Sequence, residues 1–267
     1  MKKRYLLPDD LWADIEPLLP KREVSELGGR PPVPDRAALT GILFVLKTGI
    51  PWEDLPLEMG CGSGVTCWRR LRDWQEAGVW PRLHRLFLAR LQRADKIDWS
   101  RANLDSGSIP APFGGEATGP NPTDRGKLGS KHPLVTDRQG IPLVIRLSAA
   151  NEHDSPHFIP LLEAVPAIPG RRGRPRRRPH KLHADKGYDD PFCRAYLRRR
   201  GIRPRIARRG VESKERLGRH RWVVERDIAW LHQCRRLRVR YEKRADIHLA
   251  FLTLACSLIA RRFLQRL

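Results

Sequence analysis

The sequence predicts an α/β protein: a mixed sheet with flanking helices, preceded by a small all-α, helix-turn-helix-like domain. Three observations predict it. Up to about residue 95, apolar residues recur three and four apart, the period of helices with one buried face. From about residue 96 the runs become short and β-rich, in the order strand, hairpin, helix, strand, helix, strand, helix, which suits a mixed sheet with helices on its faces. The 267 residues are 40% hydrophobic and 31% charged, enough apolar content for a core and too much for a disordered chain. The expected division is a helical domain over 1–95 and a sheet domain over 96–267.

Charge narrows the function. Lys and Arg number 52 against 30 Asp and Glu, a formal +22. Such an excess costs self-repulsion and implies a polyanionic partner, with nucleic acid first. No basic amphipathic helix with an aromatic face suggests a membrane surface. The longest apolar run, Ile42 to Leu46, is too short to cross a bilayer. The basic start Met1-Lys2-Lys3-Arg4 lacks an apolar stretch of signal-peptide length, so a cytoplasmic protein without a membrane partner is expected. The five cysteines (Cys61, Cys67, Cys193, Cys234, Cys256) show no Cys-x-x-Cys spacing and read as small buried thiols.

In chain order, Pro8-Asp9-Asp10 starts a helix carrying Leu11, Trp12, Ile15 and Leu18. Asp35 is placed to cap a second, through Leu39, Ile42, Leu43 and Leu46. A glycine-bearing turn at 60–64 leads into a helix from Val65 to Glu76, with Arg69, Arg70 and Arg72 beside Trp68, Leu71 and Trp74. Short helix, turn and basic helix fit a helix-turn-helix. A plain bundle with solvated arginines fits equally well, and the overall basicity favours DNA. Pro81 to Arg93 closes this region.

Arg101 to Ile109 reads as a strand. His132–Asp137 and Ile141–Leu147 form a hairpin about Asp137-Arg138-Gln139-Gly140. A helix follows Asn151-Glu152-His153-Asp154-Ser155, capped by Asp154 or Ser155. The stretch 171–179 is a basic, proline-broken loop whose Arg171, Arg172 and Arg176 suit phosphate contacts. Lys181 to Asp185 is a buried strand delivering a carboxylate, then come a helix from Pro191, a strand over 202–206, a loop over 208–218, a helix from about Arg219, and a last helix over 246–264.

Three acids lie in apolar settings: Asp105, Asp185 and Glu225. A buried carboxylate is costly unless paired or holding a metal. Brought together, three hard oxygen donors suit Mg²⁺, and two such ions about 3.5–4 Å apart can drive phosphodiester displacement. Taken singly, each acid is as well explained as a helix cap or an arginine's partner, and Asp98 competes with Asp105.

Several stretches resemble the bacterial insertion-sequence transposases of the DDE type, in the group typified by insertion sequence five. They are Leu7-Pro8-Asp9-Asp10-Leu11-Trp12, 119–131, 149–155, Asp185-Lys186-Gly187-Tyr188-Asp189 and Arg219-His220-Arg221-Trp222-Val223-Val224-Glu225-Arg226, in the family's order along nearly the whole chain. The resemblance implies a ribonuclease-H-like catalytic domain with Asp105, Asp185 and Glu225 as catalytic metal ligands. It implies two Mg²⁺ ions, with Mn²⁺ as a substitute, and binding of the element's terminal inverted repeats, cleavage there and strand transfer into target DNA. A homodimer in a synaptic complex on the bacterial nucleoid follows. Lys127, Lys131 and Arg221 join the arginines above as expected DNA contacts. The family often has tyrosine where this chain has Gly218 and lysine where it has His232, departures that bear on contacts to the DNA end. Asn151, His153 and Asp154 are expected to order the site. The rivals are a catalytically inactive transposase-derived DNA-binding protein and a nuclease for RNA–DNA hybrids. A zinc site on His180, His183 and Cys193 has the wrong spacing.

Overall fold

The computed structural model describes residues 7–21, 31–208, 210 and 214–266, with 214–221 described by backbone alone. The first layer is helical: α1 (Asp9–Ile15), α2 (Asp35–Thr48), α3 (Gly64–Glu76) and α4 (Val79–Arg93). α2 buries Leu39, Ile42 and Leu46 completely, as its spacing requires. Its cap differs from expectation. Pro34 is the N-cap, and Asp35, one residue inside, pairs with Arg70 at 3.2 Å. α3 starts one residue early, because Ser63 caps it by accepting the Thr66 N–H at 3.2 Å.

The sheet comprises β1 (Ala102–Pro110), β2 (Gly119–Pro120), β3 (Leu128–Asp137), β4 (Pro142–Ile145), β5 (Ser148–Ala149), β6 (Lys181–Ala184) and β7 (Arg203–Ile206). β3 lies antiparallel to β1, and β2, β5 and β4 share its other edge. β6 runs parallel to β1, and β7 parallel to β6. The strands run in the order β2-β3-β1-β6-β7, with β4 and β5 also paired to β3, so antiparallel and parallel pairings meet in one sheet, the expected mixed sheet with flanking helices. The hairpin turn closes on Gly140 at φ +96°, a conformation that favours glycine.

Helices α5 (Asp154–Glu163) and α6 (Pro191–Arg199) cover one face, where Leu162 and Tyr196 lie around a small void with Ala102 and Val135. α7 (Lys214–Leu231) lies on the other face and begins five residues before the expected start. It comes close because β1 has Gly107, where a Cβ would approach Ile228 Cγ2 to 2.9 Å. His153, neither Asp154 nor Ser155, caps α5 by accepting the Ser155 N–H at 3.3 Å.

The last helix, α8 (Ala245–Leu264), corrects the expectation that no segment could span a membrane. It is long and apolar enough by composition, with 67% of the qualifying stretch buried. Ile247, Phe251, Leu254 and Cys256 are fully enclosed, so it is a core helix packed between α4 and the sheet. Phe251 stacks on Trp52 at 5.7 Å, and His248 meets His132 of β3 at 2.9 Å between Nε2 atoms. One hydrophobic cluster runs from Leu7 to Ala260. Four cysteines are buried and Cys234 is half-buried, all as thiols.

His84 of α4 joins this layer to the sheet through Pro142 O at 2.8 Å, and burial lowers its pKa from 6.5 to about 4. Below pH 6.5 the unfolded chain takes up a proton that folded His84 refuses, so this group withdraws stability as pH falls from 6.5 towards 4. His84→Gln keeps an N–H donor and does not titrate. Relative to the variant, the wild type is expected to lose up to about 3 kcal/mol between pH 7 and 4. Parallel melting curves across that range check it, and a constant difference in Tm would refute it.

Candidate catalytic site

β1 and β6 bring two of the three predicted acids together. Asn103 is the register partner of His183, so Asp105 and Asp185, two residues on, stand side by side. Adjacent strands are about 4.8 Å apart. Both point to the α7 face, since Asn103, Asp105, His183 and Asp185 alternate with Ala102, Leu104, Leu182 and Ala184. That alternation corrects the expectation of buried carboxylates. The apolar neighbours pack on the α5/α6 side, while Asp105 and Asp185 are half-buried. Each has a local backbone donor: Ser106 N–H to Asp105 Oδ1 at 2.9 Å, and Gly187 N–H to Asp185 Oδ1 at 2.9 Å.

Tyr188, three residues past Asp185, is 2% exposed and packs against Phe158 of α5 with ring centroids 5.6 Å apart. Its hydroxyl is pushed well above the usual 10, first by burial and then by the charges of Asp154, Asp105 and Asp185. One phenol therefore feels three carboxylates. Asp154 reaches this cluster from the start of α5, where Ser155 Oγ donates to Gly187 O at 3.0 Å. Lys131 of β3 donates to Asp154 Oδ1 at 3.1 Å and to Glu152 O at 2.7 Å.

Glu225 is on α7, one turn before Ile228, and is exposed, unlike the buried Val223 and Val224 before it. Among the described residues, no group of three His, Cys, Asp or Glu side chains is gathered tightly enough to hold a metal. Asp105 and Asp185 are thus neighbours in the sheet, and Glu225 stands on a separate element, α7. Two adjacent carboxylates are hard oxygen donors of the kind that suit a divalent cation such as Mg²⁺. Asp98, the competitor for Asp105, is structural: its Oδ1 accepts from Ser100 N–H at 2.9 Å, and it pairs with Arg138 at 3.3 Å.

The expected DNA contacts divide. Arg69, Lys127 and Arg172 are exposed, and Arg72 is half-exposed against Asp73 at 2.7 Å. Arg171 donates to Arg93 O at 2.6 Å, and Arg176 lies over Trp99 while contacting His180 at 3.0 Å. Arg70 is a correction. It is 5% exposed and spent on Asp35 and Val33 O. Lys131 is another, since it neutralises Asp154 inside the site with its side chain 14% exposed. The Arg221 side chain lies outside the described residues.

Comparison with known proteins settles the family. A family model described as "Transposase DDE domain" matches residues 101–260, and one described as "Putative transposase of IS4/5 family" matches 7–84. The chain belongs to the DDE transposases of bacterial insertion sequences. It is 53% identical over 154 residues to the "Putative transposase for insertion sequence element IS402" of Burkholderia cepacia, covering 58% of this chain and 73% of that protein. It is 29% identical over 117 residues to the "Transposase for insertion sequence element IS1106" of Neisseria meningitidis serogroup B, covering 40% of this chain and 37% of that one. The pre-cleavage Mos1 transpososome structure aligns with 89% of this chain and 82% of its own at 12% identity. Its TM-score is 0.28, too slight a likeness to bear on the fold. The transposase is thus an enzyme of DNA cleavage and strand transfer.

Sequence reasoning did not single out Tyr188 or the Lys131–Asp154 pair. Tyr188 had a signal: three residues past Asp185 in a tight turn, an aromatic side chain folds back under the strand end.

Proposed function

We propose that this transposase binds the terminal inverted repeats of its element, cuts the DNA there and joins the ends to target DNA, with Asp105, Asp185 and Glu225 as its metal-holding residues. The observation that carries the reading is the β1–β6 register, which sets Asp105 and Asp185 side by side. Divalent ions, two Mg²⁺ in this reading, would supply Lewis-acid stabilisation of the attacking and leaving oxygens. The chain's own groups set the scene for that chemistry. Ser106 and Gly187 N–H fix the two aspartates. Lys131 offsets Asp154, so the site carries less uncompensated negative charge towards an incoming phosphate.

Residues 1–95 would supply end recognition, with Arg69 on the exposed side of α3, and 96–267 the chemistry. A homodimer would hold two ends in a synaptic complex. The setting would be the bacterial cytoplasm, on the nucleoid. Purified protein, Mg²⁺ and a duplex carrying the DNA that flanks the coding region test the reading. Specific nicks at the element ends are expected. Binding without nicking under Mg²⁺ or Mn²⁺ would replace it with a non-catalytic DNA-binding role.

A further inference from the structure

β6 and β7 present a second feature on the same sheet face as Asp185. Lys181 is the register partner of Arg203, and His183 of Arg205. In parallel strands, register partners project to one side, so these four basic side chains form two rows. The rows are about 6.6 Å apart along the strands, and the strands about 4.8 Å apart. Asp185 continues β6 with extended backbone (φ −80°, ψ −177°) and so stands next in the same line. β7 is the edge of the sheet, and Arg203 and Arg205 are exposed.

At the far end of the line, a cavity of about 540 Å³ opens between Arg178, Lys181 and Arg203, and no carboxylate lines it. The Arg178 guanidinium is fixed there, donating to Arg200 O at 3.0 Å and lying against Gly201, where a Cβ would come within 2.9 Å of it. Its charge is therefore ordered before any ligand arrives. From Lys181 to Asp185 the line spans about 13 Å, close to four nucleotides of one strand at about 3.4 Å each.

We propose that the exposed edge formed by β6 and β7 is a phosphate track, which leads the DNA strand to be cut up to Asp185, with Lys181, Arg203 and Arg205 as its contacts. The proposal rests on the reading of Asp185 as a catalytic residue. A linear row of cations, open along one edge, suits a phosphodiester backbone better than a compact anion. Contacts of this kind to the phosphate backbone carry no sequence information.

The test is binding of an element-end duplex by fluorescence anisotropy without metal, across a salt series, for wild type and Lys181→Ala/Arg203→Ala. The variant is expected to bind about tenfold more weakly near 0.1 M salt, with a salt slope shallower by about two. Shortening the duplex on one side of the nick site to under about four nucleotides should erase the difference, and shortening the other side should not. Lys181→Arg/Arg203→Lys should restore affinity, which a purely structural role would not require. Unchanged affinity and slope, or a loss that ignores which side is shortened, would overturn the proposal. Wild-type nicking is read separately with Mg²⁺. Weakened binding by the variant alongside a wild type that never nicks would support the track and sink the catalytic reading.

Discussion

Asp185→Asn is expected to cut Mg²⁺-dependent nicking at the element ends about a thousand-fold or more while leaving metal-free DNA binding within about twofold. Loss of a metal-holding carboxylate removes several kcal/mol of transition-state stabilisation, and each 1.36 kcal/mol is tenfold in rate. The substitution is conservative for the fold. The amide oxygen of Asn can still accept the Gly187 N–H that Asp185 accepts at 2.9 Å, and the site is only half-buried. The melting temperature should therefore barely move. Asp105→Asn should behave alike, because it is the neighbour of Asp185 across the β1–β6 pairing. Single-turnover nicking with anisotropy on the same preparations makes the measurement. A variant that nicks at the wild-type rate would remove Asp185 from the chemistry.

Gly64→Ala is expected to be the most damaging single methyl in the helical layer. A Cβ there would sit 1.7 Å from the carbonyl oxygen of Trp52, which is backbone and cannot rotate away. Either α3 lifts or the Trp52 segment moves. Trp52 stacks on Phe251, and its Nε1 donates to Glu242 at 3.3 Å. Glu242 in turn holds the buried Arg236 at 2.6 Å. Moving Trp52 disturbs a buried ion pair as well as an aromatic contact, and changes of this kind cost about 4 kcal/mol or more. The expected result is a fall in Tm of roughly 10 °C or more, or insoluble protein. Gly60→Ala is the comparison. Gly60 has nothing within 4 Å of its added Cβ, but its φ is +66°, so the cost is about 1–2 kcal/mol of backbone strain. Melting curves of the two variants decide it, and equal losses would mean that the approach at Gly64 is not what matters.

Much of this architecture was legible because local signals and global packing agree. The apolar spacing of α2 and α4, and the hairpin turn at Asp137–Gly140, needed no tertiary information. The pairing of Asp105 with Asp185 did need it. The partners in a parallel sheet are about eighty residues apart here, and nothing local fixes their register. Two misreadings were avoidable. In α3, Cys67, Leu71 and Trp74 mark the inward stripe, and Arg70 falls on it, so the helical period alone separates Arg70 from the exposed Arg69. In β6, Leu182 and Ala184 mark one face, and period two puts Asp185 on the other. α8 escaped notice as a long apolar span because Arg244, Asp246, His248 and the Arg261–Arg262 pair interrupt or bracket its apolar stretch. In three dimensions it is wrapped by α4 and the sheet.

The position of α8 has a consequence for synthesis. α4 leaves the ribosome with Leu83, Phe87 and Leu91 needing cover, and much of that cover is a helix encoded some 150 residues later. At bacterial translation speeds of about 5–20 residues per second, the nascent chain waits roughly ten to thirty seconds for it. During that interval the helical layer exposes an oily seam suited to chaperone capture. The helical layer therefore completes its packing late, when α8 slots between α4 and the sheet.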